Sequence, residues 1–233
     1  MVLIIGALGG IIFQAFILPY LATKPYFQRF QFIKILTERE VNVYPTETVV
    51  VQENIALQRI IEKVEKTVIG VQTRTKAGKI LEGSGLILTS DGLVVTLADI
   101  VPYGSDFKFF WEKKQLPFQV LKRDLKNNLV LIKAEKDDFH TTGFADLEKI
   151  KLGQRVFLLG IIFEDGNPTK IVNTGVIKAF NENAIRTNIF EKSILKGSPL
   201  FDIEGNVLGL NTIDFEGKVI AIPINKIREF AGF

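Results

Sequence analysis

The chain has 233 residues, no cysteine and one histidine, His140, with 29 basic against 26 acidic side chains and a net charge of +3. Disulfides, thiolate nucleophiles, cysteine-ligated clusters and multi-histidine metal sites are thereby excluded, and neither a metal nor another cofactor is expected. The balanced charge, without a dense basic stripe, argues against a nucleic-acid partner.

Residues 2–22 read "VLIIGALGGIIFQAFILPYLA", with no charge and one strongly polar residue, Gln14. A membrane helix needs about 20 such residues. Gly6, Gly9 and Gly10 are common in membrane helices and poor material for a soluble core helix, and Tyr20 and Tyr26 suit an interface belt. A cleaved signal peptide would have a shorter apolar run behind a basic start. The expectation is a single-pass transmembrane anchor over 1–23, with a linker or stalk over 24–53. Lys24, Arg29, Lys34 and Arg39 follow the run, and taken alone they would place the bulk of the chain in the cytoplasm.

Ile55, Leu57, Ile60, Ile61 and Val64 then fall at helical spacing, with Arg59, Glu62, Lys63 and Lys66 opposite, which predicts a short amphipathic helix over about 54–66. From Val68 the period changes. Runs such as "TVIGVQTRT", "GLVVTLA", "NLVLIKAE", "QRVFLLGI" and "GKVIAIPI" predict about a dozen short strands. "DG" at 91–92, "DG" at 165–166 and "EG" at 204–205 mark hairpin turns. A looser stretch near 135–150 divides the strands into two groups, and the pattern as a whole predicts an all-β barrel or sandwich.

The succession "GSGLILTSDGLVVTLADIV", "DLKNNLVLIKAE", "KLGQRVFLLG", "NTGVIKAF", "TNIFEKSILKGSPLFDIEGNVLGLNT" and "AIPINKIREF" resembles trypsin-like serine proteases of the HtrA/Deg type. Six pieces in order cover roughly residues 55–230. The resemblance implies two six-stranded β-barrels, over about 67–140 and 150–230 of a domain at 54–233, with the active site in the cleft between them. Aligned with the family's patterns, "GLVVTLADIV" puts Asp99 at the histidine position. "NLVLIK" opens with Asn128, which takes the aspartate position. "TNIFEKSILKGSPL" puts Lys196 at the nucleophilic serine. Ile194 takes the place of an oxyanion-hole glycine, and Phe190 falls at the floor of the primary specificity pocket, which it would help to fill.

All three triad positions are therefore changed. Serine is a weak nucleophile until a positioned base takes its proton, and a third group must orient that base. A short, ionised aspartate is a poor base at neutral pH, an asparagine cannot stabilise an imidazolium, and His140 lies between the barrels, too far along the chain to replace the missing ring. Where the family's histidine and serine touch, this chain has a short anion and a long cation, so a salt bridge between Asp99 and Lys196 is predicted. Ser193 and Ser198 flank Lys196 and are the remaining candidate nucleophiles for a serine–lysine dyad. A carboxylate beside the lysine works against that, because it favours the protonated amine.

The resulting expectation is a membrane-anchored, catalytically inactive pseudoprotease. Its domain lies outside the cytoplasm, as in anchored relatives, and binds unfolded protein, a peptide or a membrane-protein partner. The alternative is an active serine endopeptidase in extracytoplasmic protein quality control. Family members often form trimers, which makes a homotrimer an expectation of the resemblance, and often carry a following PDZ domain, which is not expected here because the chain ends at Phe233, just after "AIPINKIREF".

Overall fold

The structure, a computed structural model, describes residues 9–10, 12–17, 20, 24 and 48–233. The expected anchor and linker lie largely outside the described residues. Among those described is a π-helical turn, Phe13–Ile17, and no helix long and apolar enough to cross a membrane.

Helix α1 spans Thr48–Val64 and ends in a 3-10 turn, Glu65–Thr67. It starts six residues before the predicted position because no glycine or proline interrupts "TVVVQE", and β-branched residues lower helix propensity only slightly. Leu57, Ile60, Ile61 and Val64 pack onto the main core, whereas Ile55, read from the sequence as part of that face, is exposed.

Seven strands follow: β1 (Val68–Arg74), β2 (Ile80–Ile87), β3 (Leu93–Leu97), β4 (Asp106–Trp111), β5 (Lys114–Leu116), β6 (Phe118–Asp124) and β7 (Leu129–Ala134). They form one antiparallel sheet in the order β5-β4-β1-β2-β3-β7-β6. The expected closed six-stranded barrel is thus an open seven-stranded sheet. The difference is local. The terminal strands β5 and β6 are consecutive in the chain, separated only by Pro117, which has no N–H to continue a ladder. Leu116 pairs with Phe109 of β4, and Phe118 pairs with Ala134 of β7. One strand broken by a proline therefore counts as two, and the sheet curls until its ends meet there.

The second group is a closed barrel of six strands, as expected: β8 (Arg155–Glu164), β9 (Asn167–Asn181), β10 (Ala184–Phe190), β11 (Pro199–Asp202), β12 (Val207–Ile213) and β13 (Lys218–Pro223), in the order β10-β13-β12-β11-β8-β9. Helix α2 (Ile224–Ala231) closes the domain and buries Ile224, Ile227 and Phe230, one per turn. Turns fall at the three predicted dipeptides, with Gly92, Gly166 and Gly205 all at positive φ.

Two apolar clusters hold the domain. One fills the closed barrel, with Leu158, Leu200, Leu208 and Val219 fully buried. The other is larger. It joins the first sheet to the outer face of the barrel through Phe157, Leu159 and Ile161 of β8 and to both helices. Inward and outward residues of β8 thus serve two cores, so this strand reads as an almost continuous apolar run, "VFLLGII".

Candidate functional site

The loop that carries Lys196 is shaped by its neighbours. After β10 the chain makes a 3-10 turn, Ser193–Leu195, whose Leu195 is buried in the barrel core. Lys196 is extended, and Gly197 turns the chain at φ 76° into β11. Only glycine fits there, because a Cβ would lie 2.2 Å from the Ser84 carbonyl oxygen. The Ser84 N–H donates to the Lys196 carbonyl (2.8 Å), and the Gly197 N–H donates to that of Asn211 (2.8 Å). The loop is thereby pinned to both sheets, and the Lys196 side chain is thrown across to the first.

Asp99 lies in the turn after β3. Its N–H donates to Asn128 Oδ1 (2.9 Å), and the preceding Ala98 N–H donates to the Asn128 carbonyl (3.1 Å). Asn128 has φ 56°, a left-handed conformation that asparagine tolerates better than most residues. The turn leading to it is braced by Asp124, which accepts from the Asn127 N–H (3.1 Å) and side-chain amide (2.6 Å). Those hydrogen bonds, the side-chain one first, hold the Asp124 carboxyl below the usual carboxylate range.

Lys196 Nζ lies 2.6 Å from Asp99 Oδ2, the ion pair predicted from the sequence. Both side chains are partly exposed, 27% for the lysine and 39% for the aspartate. The structure therefore brings Asp99, Asn128 and Lys196 together.

The groups around the pair limit the chemistry it can support. The Lys196 N–H, which at a nucleophile position would face a developing oxyanion, donates to the Ser193 carbonyl (3.2 Å). Ile194 sits within the 3-10 turn, where glycine's freedom is not used. Ser198 is fully buried, and its Oγ accepts from the Asn211 side-chain amide (3.1 Å). Ser193 is exposed. Phe190 is 60% exposed and fills no pocket, contrary to the expectation from alignment. The reason is strand period: along β10, Ile185, Thr187 and Ile189 point inward, which leaves Phe190 on the outer side. Among the described residues, no cluster of three or more His, Asp or Glu side chains could hold a metal ion.

Ser84 was missed as a structural element of the site. It is fully buried, accepts the Ile161 N–H on its Oγ (2.8 Å) and donates to the Ile161 carbonyl (3.4 Å), and its own carbonyl accepts from Thr96 Oγ1 (2.7 Å). It ties β2 to β8 and so fixes the cleft. The signal was present in "GSG": glycines inside a strand mark a close backbone approach, and a Cβ on Gly83 would lie 2.6 Å from the Lys196 carbonyl oxygen.

The comparisons with known proteins agree with this fold. The model of the trypsin-like peptidase domain matches residues 83–210, more than half of the chain. A DegP-like periplasmic serine endoprotease of Halomonas elongata is 27% identical over 164 residues, which cover 64% of this chain and 34% of the relative. One of Hahella chejuensis is 30% identical over 159 residues, 61% of this chain and 33% of the relative. The chain thus spans about a third of the length of these curated relatives. Among solved structures, an HtrA-type protease, AlgW, in complex with a tripeptide, superposes with a TM-score of 0.66 at 19% identity, over 74% of this chain and 61% of that one, which shows a shared fold. The chain belongs to the trypsin-like peptidase domain family.

Proposed function

We propose that this protein is a catalytically inert member of its family, a pseudoprotease that binds a peptide or protein partner without cutting it. The observation that carries the reading is the 2.6 Å contact between Lys196 and Asp99. An ammonium held on a carboxylate has no lone pair to offer as a base, and a carboxylate so engaged is a poor acceptor for a serine proton. The spent N–H of Lys196 and the buried Ser198 support the same reading, since they remove an oxyanion donor and a nucleophile.

The chain is held at the membrane by residues 2–22, and its folded domain works outside the cytoplasm. The uncharged run supports the first statement, and the periplasmic placement of the DegP-like relatives supports the second. Casein cleavage by the full chain in detergent tests the reading: none is expected. The second reading, an active endopeptidase, is favoured by the exposed Ser193 beside a lysine and by the relatives' own activity. Cleavage that disappears in Ser193→Ala would establish it.

A further inference from the structure

Four segments meet around the Asp99–Lys196 pair: 74–80 at the β1–β2 turn, 98–105 after β3, 122–128 at the β6–β7 turn and 191–196 before β11. Contacts between them make one continuous rim. A Cβ on Gly104 would lie 2.5 Å from Lys76 Cε, and the Arg123 guanidinium covers the Tyr103 ring at 4.6 Å while donating to the Val101 carbonyl. Asn128 accepts the Asp99 N–H, and the Lys196 carbonyl accepts that of Ser84.

These segments hold eight of the chain's 29 basic side chains but only three of its 26 acidic ones. The three acids are engaged: Asp99 with Lys196, Asp124 with Asn127, and Glu191 with the Asn173 side-chain amide (2.6 Å). Asp106 stands opposite Arg74 in the β1–β4 register and offsets that one charge. Lys76, Lys79, Lys126 and Lys192 are exposed and form no ion pair among the described residues. The surplus is divided among four segments, so no single run of the sequence displays it. Apolar groups stand between the cations, with Tyr103 70%, Leu125 67% and Ile80 45% exposed. At the centre, an ammonium has three N–H donors, and among the described residues Lys196 Nζ spends one, on Asp99.

We propose that the segment this cleft takes is acidic: an extended peptide whose carboxylates face Lys76, Lys79, Lys126 and Lys192, whose apolar side chains meet Tyr103 and Leu125, and one of whose carboxylates takes the open donors of Lys196. Rim charges of one sign select a partner of the other and speed its approach. An anionic lipid surface has the same charge, but it is flat on this scale and meets the exposed lysines without reaching the half-buried pair between them, whereas an extended peptide reaches both. The inference rests on the reading of the domain as a peptide-binding module, and it names the class of peptide.

The test is fluorescence anisotropy of a dye-labelled peptide in which glutamate alternates with leucine and tyrosine, titrated with the full chain in non-ionic detergent. The same peptide with glutamine for glutamate is the comparison. The acidic peptide is expected to bind about tenfold more tightly, with an advantage that shrinks as ionic strength rises. Lys79→Glu with Lys126→Glu, both at exposed turn positions, is expected to abolish that advantage. Lys151→Glu with Lys178→Glu, an equal change of charge near the Arg155–Val176 end of the second barrel, is expected to leave it. Asp99→Asn removes a competing carboxylate and is expected to raise affinity about threefold, a gain that damage to the cleft would not give. Equal binding of the two peptides, or equal loss in both double variants, overturns the proposal. So does binding to phosphatidylglycerol vesicles that depends on Lys79 and Lys126 while the acidic peptide stays unbound. Mass spectrometry of the recovered peptide keeps the two readings apart. A shortened peptide overturns the inert-site reading, and an intact peptide bound without charge preference overturns only this one.

Discussion

Lys196 and Asp99 carry opposite charges, and their 2.6 Å contact joins the two halves of the domain. Partly exposed pairs of this kind contribute about 0–1 kcal/mol, so Lys196→Met is expected to lower stability by no more than that in urea unfolding. Lys196→Ser places a hydroxyl at the nucleophile position but supplies no base, and it is expected to remain unreactive with a fluorophosphonate. Asn128 is less replaceable. Asn128→Ala loses the acceptor for the Asp99 N–H and forces alanine to φ 56°, at an expected cost of about 1–2 kcal/mol; Asn128→Asp, which keeps the acceptor, should cost less. The turn before it carries a pH signature. The Asp124 carboxyl is held below its ordinary value in the folded chain, so its stabilisation is present above the unfolded pKa and is lost as pH falls through the lowered folded one. Thermal midpoints should be flat from neutral pH down to about 5 and fall below about 4, and Asn127→Ala should make that fall shallower.

At the scale of elements, legibility followed local chemistry. Asp165-Gly166 announces its hairpin because both residues accept positive φ, and the turn lies there. Glu112-Lys113 makes an equally tight hairpin between β4 and β5, also with both residues at positive φ, and carries no such signal. Tertiary pairing on either side overrode the local preference. Replacing the pair by Asn-Gly is therefore expected to raise stability by about 1 kcal/mol in urea unfolding at low protein concentration. The proline in "LPF" could have shown that one strand would count as two, but only once both partners of that strand were known. Phe190 was misplaced for a related reason: alignment gives its position along β10, and the inward–outward alternation of that strand gives the side it faces. Gly197 shows the opposite case, since its glycine was legible in the motif and the reason, the Ser84 carbonyl, was not. Gly197→Ala is expected to cost more than about 2 kcal/mol, with the loop released from β2.

Across the whole domain, the two groups of strands share one large core through β8, so the cleft between them is a rigid seam. Phe157, fully buried and stacked on Phe201 at 5.2 Å, lies in that seam. Phe157→Ala is expected to cost about 3–5 kcal/mol, seen as one cooperative transition at a lower midpoint. A scaffold of this stiffness can lose its catalytic groups and keep its cleft, which is the basis for reading the chain as a binding module. The most direct measurement of that claim is the intact mass of the folded full chain after exposure to a fluorophosphonate probe. The account predicts no adduct. An adduct at Ser193 or Ser198 would contradict it and make Lys196 the candidate base.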